Sequence, residues 1–201
     1  MYLKIHNLSY IYNKEVFVYY DYCFNRGITI ISGESGKGKS TLFRLLIKSI
    51  KPYTGFISWN DKNIEEYDTF QYLDSILSIV FQGAIISYYF TLREYIALLI
   101  IHEDQRRELA EFYLDVLGLY YLLDMSILHC SGGEKYKIAL FLSLLKNVPL
   151  LLLDEPTSYL DRNYSIMVFS LLKKINDKVI LIITHDQLFF EKTDTLQYYY
   201  L

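Results

Sequence analysis

The chain has 201 residues, 52% of them hydrophobic and 17% aromatic, with a formal net charge of -3. That length suits one domain with a real core, and the mildly acidic balance argues against non-specific nucleic-acid binding, which needs a basic face. No segment reaches the roughly 18 to 20 uninterrupted apolar residues of a membrane span, and "MYLKIHNLSY" lacks the basic start and apolar centre of a signal peptide, so the reducing cytoplasm is the expected location.

"YLKIH" (2–6) and "VFVYY" (16–20) read as strands, and "GITIIS" (27–32) as a short β-branched strand closed by glycine. Cys23 and Cys130 stand alone without CxxC spacing, so neither a disulfide framework nor a zinc site is implied. From Ser40 to Ile50 the apolar residues Leu42, Leu45, Leu46 and Ile50 share one helical face. "GFISW" (55–59) and "SILSIVF" (75–81) read as further strands. Residues 91–121 are expected to be helical, with the charged "HEDQRRE" as a solvated turn or helix face. A helix over about 133–146 follows. Then come the buried strand "LLLLD", a helix over 163–174, the strand "KVILIIT" and a last strand within "TDTLQYYYL". Continuous apolar strands alternating with helices predict an α/β fold whose parallel sheet is covered on both faces. One domain is expected, with a core of about 1–82 and 147–201 and an inserted helical subdomain of about 83–146.

"ISGESGKGKST" (31–41) lies between a predicted strand and a predicted helix and fits G-x-x-x-x-G-K-[ST]. The nucleotide-binding stretch is Gly33, Glu34, Ser35, Gly36, Lys37, Gly38, Lys39, Ser40 and Thr41. Its glycines let the backbone wrap with N–H groups pointing inward, and the helix start adds a dipole that favours anions. Lys39 would neutralise β and γ oxygens, and the Ser40 hydroxyl would ligate Mg2+. Lys37 is out of register for that work and should face solvent.

"LLLLDEPTSYLD" (150–161) describes a buried strand delivering Asp154 and Glu155 to its carboxyl end, where open α/β sheets hold ligands. Asp154 would orient Mg2+ or its water, and Glu155 could polarise a water for in-line attack on a γ-phosphate. By itself the segment is equally a strand followed by an acidic turn. "CSGGEK" (130–135) then opens a helix at Ser131, Gly132 and Gly133, a second anion-binding N-terminus in the same chain.

Taken in this order, the motifs resemble those of ABC ATPases. "CSGGEK" resembles the signature motif and "GESGKGKST" the Walker A loop. "VFQ" resembles the Q-loop, which places Gln82 near Mg2+ and the attacking water; "TLREYI" resembles the helix opening after it. "LLLLDEPTSYLD" resembles Walker B, the catalytic glutamate and the D-loop at Asp161, and "ITHD" resembles the switch region at His185. "LSYIY" resembles the opening segment whose aromatic stacks on adenine, with Tyr12 the better match and Tyr10 the alternative. The family usually has leucine and glutamine where this chain has Cys130 and Glu134. Cys130 would fill a small apolar slot, and Glu134 would keep a polar group near the opposing site.

The resemblance implies a RecA-like P-loop NTPase core with a mixed sheet, an N-terminal antiparallel β portion and the helical insertion. It also implies ATP and Mg2+ as cofactors and a head-to-tail homodimer sandwiching two ATP molecules. Each ATP would contact residues 33–41 of one chain and Ser131 to Gly133 of the other. Glu155, His185 and Gln82 would serve hydrolysis, and Ser40, Gln82 and Asp154 the metal. The leading function is the ATP-hydrolysing subunit of an ABC transporter, peripheral on the cytoplasmic membrane face through a separate permease. The compact length and Ser-Gly-Gly-Glu ending resemble cassettes of peptide, bacteriocin or lipoprotein export. The alternative is a non-transport ABC ATPase acting on nucleic acid or the ribosome; a small-molecule P-loop kinase would need neither the signature nor His185. The apolar, aromatic "GAIISYYFTLREY" (83–95), with Tyr88, Tyr89 and Phe90, is either the permease interface or part of the core.

Overall fold

The computed structural model describes residues 1–83, 89–100, 104–190 and 196–201. Among them are two sheets. The first is antiparallel and is built around β1 (Tyr2–Tyr12). The C-terminal half of β1 pairs with β2 (Glu15–Tyr19) and its N-terminal half with β3 (Tyr22–Asn25). β5 (Thr54–Trp59) lies along its other edge, followed by the short β6 (Lys62–Asn63). Asn13 and Lys14, with φ of 48° and 71°, make the two-residue turn of the β1–β2 hairpin.

The second sheet is parallel throughout, in the order β10–β4–β9–β8–β7. Its strands are β4 (Gly27–Ser32), β7 (Leu77–Val80), β8 (Leu150–Asp154), β9 (Val179–Ile183) and β10 (Leu196–Tyr200). Successive side chains on a strand point to opposite faces, and each central strand here divides its residues between two cores. Leu151, Leu153, Ile180 and Ile182 join one core with Leu140, Phe141 and Leu172 of the helices α5 (Gly132–Leu145) and α6 (Arg162–Lys174). Leu150, Leu152, Leu181 and Ile183 join the other, with Leu42, Phe43 and Leu46 of α1 (Lys39–Leu46) and with Leu3, Ile5 and Ile57 of the antiparallel sheet. Burial on both faces explains why these strands read as unbroken apolar runs.

Several elements depart from the sequence expectation. α1 stops at Leu46 instead of continuing to Ile50. Lys48 turns left-handed at φ 60° and the Ser49 N–H closes on the Arg44 carbonyl at 3.0 Å, a helix-terminating pattern that apolar periodicity does not register. "SILSIVF" is divided: Ser75 ends α2 (Thr69–Ser75), a helix capped by Asp68, and only Leu77 to Val80 form β7. The short strands β3 and β6 also had no clear alternation of their own. Within the span expected to be helical, 91–121, the described residues form α3 (Leu92–Ile100) and α4 (Asp104–Val116). α4 ends where Gly118 takes φ 58° and the Leu119 N–H bonds the Leu114 carbonyl at 2.9 Å.

Candidate active site

The carboxyl ends of β4, β8 and β9 deliver the predicted chemistry to one place. After Ser32 the chain leaves β4 through the glycine loop and enters α1 at Gly38, which has φ 93°. A side chain is excluded at Gly38 twice over: the backbone is left-handed, and a Cβ would lie 2.7 Å from the Phe17 ring. No side chain caps α1, so its first N–H donors have no partner of that kind. Lys39, only 7% exposed, donates from Nζ to the Gly33 and Glu34 carbonyls at 2.8 and 2.9 Å. The loop thus holds its own cation across its mouth. Lys37 lies on the outer side, 3.7 Å from Glu34, with both side chains exposed, as its register predicts.

Asp154 ends β8 half-buried. Burial raises its carboxyl above the ordinary aspartate range; the neighbouring Glu155 charge adds to this, and Lys39 opposes it. Glu155 takes φ 50°, turning out of strand geometry, and its N–H holds the Ile183 carbonyl of β9 at 2.8 Å. Its carboxylate accepts from the His185 N–H at 3.3 Å and stands 3.8 Å from His185 Nε2. Strand pairing of β8 with β9 therefore sets these two residues side by side.

A cleft of about 680 Å³ brings together Ser35, Gly36, Gly38, Lys39, Ser40 and Thr41 with Gln82, Asp154, Glu155 and His185. Glu15 and Phe17 of β2 also line it, and sequence reasoning missed both. The signal was in the alternation of β2: Val16 and Val18 are exposed, which turns Phe17 and Tyr19 to the opposite face. Tyr12 is 57% exposed at the hairpin and is not among the cleft's lining residues; Tyr10 packs partly against the core. Gly33, Glu34 and Lys37 support the loop from outside the cleft.

The signature turn lies elsewhere. Ser131 caps α5, accepting from the Glu134 N–H at 3.3 Å, while the Glu134 carboxylate accepts from the Ser131 N–H at 2.7 Å. Glu134 also accepts from the Tyr121 hydroxyl at 3.0 Å, so its polar end is folded back onto its own chain. A Cβ on Gly133 would sit 2.8 Å from the Tyr159 carbonyl, so only glycine lets the Tyr159 backbone close against this helix start. Asp161 caps α6, accepting from the Tyr164 N–H at 2.9 Å. Cys130 is buried in the helical core, where burial raises its thiol pKa, as a slot-filling residue should behave. Of the aromatic segment, Tyr88 lies outside the described residues, whereas Tyr89 is 94% exposed and Phe90 41%, which excludes a core role for Tyr89.

The family profile described as ABC transporter matches residues 21–158. The chain belongs to the ABC transporter family. Its relatives include a putative hemin import ATP-binding protein of Staphylococcus haemolyticus, 29% identical over 90% of this chain and 86% of that protein. The ATP-binding protein of the lipoprotein-releasing system of Blochmanniella floridana is 33% identical over 81% of this chain and 73% of that protein. A solved ATP-binding subunit of an ABC transporter superposes with a TM-score of 0.85 at 22% identity, over 94% of this chain and 81% of that one, and so shares the fold. A dimeric ATP-binding cassette in a post-hydrolysis state with ADP and Pi superposes with a TM-score of 0.76 at 25% identity, over 92% and 88%. This ABC chain is an ATP-binding transport ATPase subunit, and neither relative is named for work on nucleic acid or the ribosome. No helix among its described residues is long and apolar enough to cross a membrane.

Proposed function

We propose that the cleft binds ATP and hydrolyses its terminal phosphoryl group. Two chains do so head to tail, at the cytoplasmic face of the membrane, to drive a separate permease subunit. The observation that carries this reading is the meeting of the loop with Gln82, Asp154, Glu155 and His185 around one cavity. As one cassette, the chain has its core at about 1–82 and 147–201 and its helical subdomain at about 83–146.

The open N–H groups of α1 receive the phosphate oxygens, and Lys39 exchanges its loop carbonyls for the β and γ oxygens. The Glu155 carboxylate, held by His185, accepts the proton of a water that attacks the γ-phosphorus in line. As the new P–O bond forms, the bond to the β–γ bridging oxygen breaks, releasing ADP and phosphate. His185 fixes the carboxylate and reaches the γ-phosphate, and Gln82 orients the water. The base stacks at the β1–β2 hairpin with Tyr12 or Tyr10.

Ser40, Gln82 and Asp154 offer a hydroxyl, an amide and a carboxylate, all hard oxygen donors. No group of three or more His, Cys, Asp or Glu residues suited to a metal occurs among the described residues. That fits Mg2+, which keeps several waters and takes the rest of its ligands from phosphates. When bound, the ion would neutralise charge developing on the β and γ oxygens.

Ser131 to Gly133 do not line the cleft, so the second anion-binding turn is supplied by the partner chain, with Asp161 beside it to couple the two sites. The dimeric cassette among the structural neighbours supports this arrangement. The exposed Tyr89 and Phe90 support a permease contact over residues 83–95, of which 84–88 lie outside the described residues. Polar substitution of Tyr89 and Phe90 should therefore reduce co-purification with the permease. The function itself is tested by Mg-dependent phosphate release. Glu155→Gln should lower kcat by roughly 100- to 10,000-fold while ATP still binds, and undiminished turnover would remove Glu155 from the chemistry.

A further inference from the structure

The strand beside the loop carries a tyrosine that none of the expected motifs contains. Tyr19 of β2 is 1% exposed, and its hydroxyl donates to the Gly38 carbonyl at 2.9 Å. Burial raises the pKa of this phenol, so it remains a donor throughout the physiological range. The Gly38 carbonyl also accepts the Leu42 N–H at 2.9 Å. Phe17, two residues earlier on the same face of β2, presses its ring on Gly38 from the same side.

A peptide unit is planar, and in the trans form its C=O and N–H point in opposite directions. The structure contains no cis peptide among its described residues. Fixing the Gly38 carbonyl towards Tyr19 therefore aims the Lys39 N–H away from the Tyr19 hydroxyl; Gly38 and Lys39 both line the cleft. That N–H is the first donor of α1 and has no acceptor within the helix. From this geometry we infer that Tyr19 is a positioning residue for the phosphate site: its hydroxyl, as a second donor beside the Leu42 N–H, narrows the swing of the 38–39 peptide plane so that the Lys39 amide meets the phosphates already aligned. β2, whose Glu15 and Phe17 line the cleft, thereby also acts on the loop end of it. This rests on the reading of the cleft as an ATP site.

Tyr19→Phe keeps the ring and leaves the Gly38 carbonyl its bond from Leu42, so the variant should fold. Tyr19→Met, which can fill the same slot with a flexible chain, serves as a second variant. Binding of fluorescent ATP and AMP analogues is measured together with kcat and KM. In either variant the Kd for the triphosphate should rise about 5- to 20-fold, with KM rising in step and kcat within about twofold, because an amide contact made before and during reaction is uniform binding. The monophosphate, reaching fewer loop donors, should change by less than about twofold. Equal weakening of both analogues would assign Tyr19 a general structural role and overturn the proposal. So would triphosphate binding like that of the unsubstituted protein, or failure of both variants to fold. Absence of ATP binding by the unsubstituted protein would instead reject the ATP reading of the cleft.

Discussion

Two helix starts in this chain carry glycine-rich anion-binding sequences, and their states differ. α1 begins at Gly38 with no side-chain cap, and its nearest cation, Lys39, is occupied with loop carbonyls. α5 begins at Ser131 with a complete capping box, in which Ser131 and Glu134 satisfy each other's backbone N–H groups. An uncapped helix end leaves donors for a ligand, whereas a capped one must exchange a protein acceptor for the ligand's oxygen. Under the proposed function, the first would be a primary phosphate site within one chain. The second would bind only a phosphate already held by another chain, and so would sense the partner's nucleotide.

The largest test of that contrast is at Lys39. Lys39→Ala should weaken ATP binding on the order of 100-fold, because charge-assisted bonds to two phosphates are lost; calorimetry showing native affinity would remove the lysine from the site. Gly38→Ala should come next. Its methyl meets the Phe17 ring at 2.7 Å on a left-handed backbone, costing about 1–3 kcal/mol of stability, which denaturant titration measures. Ser131→Ala should lower the melting temperature by about 2–4 °C through loss of the cap. ATP binding to the monomer should stay unchanged while dimer formation weakens. Loss of monomer binding would erase the distinction between the two ends.

The smallest effect is at Glu134, where the Ser131 backbone bond, followed by its side-chain bond, holds the carboxyl below the ordinary glutamate value. A depressed folded pKa contributes stability above the unfolded value and loses it as pH falls through the folded one. Glu134 is part-exposed, so solvent screening keeps the contribution small. Glu134→Ala should lower the melting temperature by no more than about 1 °C at pH 7, and the charge-dependent part of that difference should vanish at low pH. A deficit that grows on acidification would contradict the capping role.

Much of this architecture was legible in the sequence where local chemistry and tertiary demand coincide. The strand "LLLLD" is apolar because both faces of β8 are buried, and its acidic end is at the cleft because parallel strands open there. Gly33 to Thr41 read directly, since the loop's backbone requires glycines at fixed spacing. Three features were hidden. The end of α1 depends on Lys48 adopting a left-handed conformation, which residue type does not announce. Phe17 and Glu15 reach the cleft only because β2 folds back on β1, a pairing set by the turn at Asn13 and Lys14. Glu134 stood in the sequence as a departure at the signature; in the fold it is the second half of a cap. An S-x-x-E pattern at a helix start was the cue that could have found it.

The central claim is that the uncapped end of one chain and the capped end of another share an ATP, with the γ-phosphate joining them. It is tested most directly by light scattering of Glu155→Gln, which binds but does not split the nucleotide. With Mg-ATP the measured mass should be that of two chains, about twice the 23.9 kDa protomer, and with Mg-ADP that of one. A single-chain mass in saturating Mg-ATP would contradict the account.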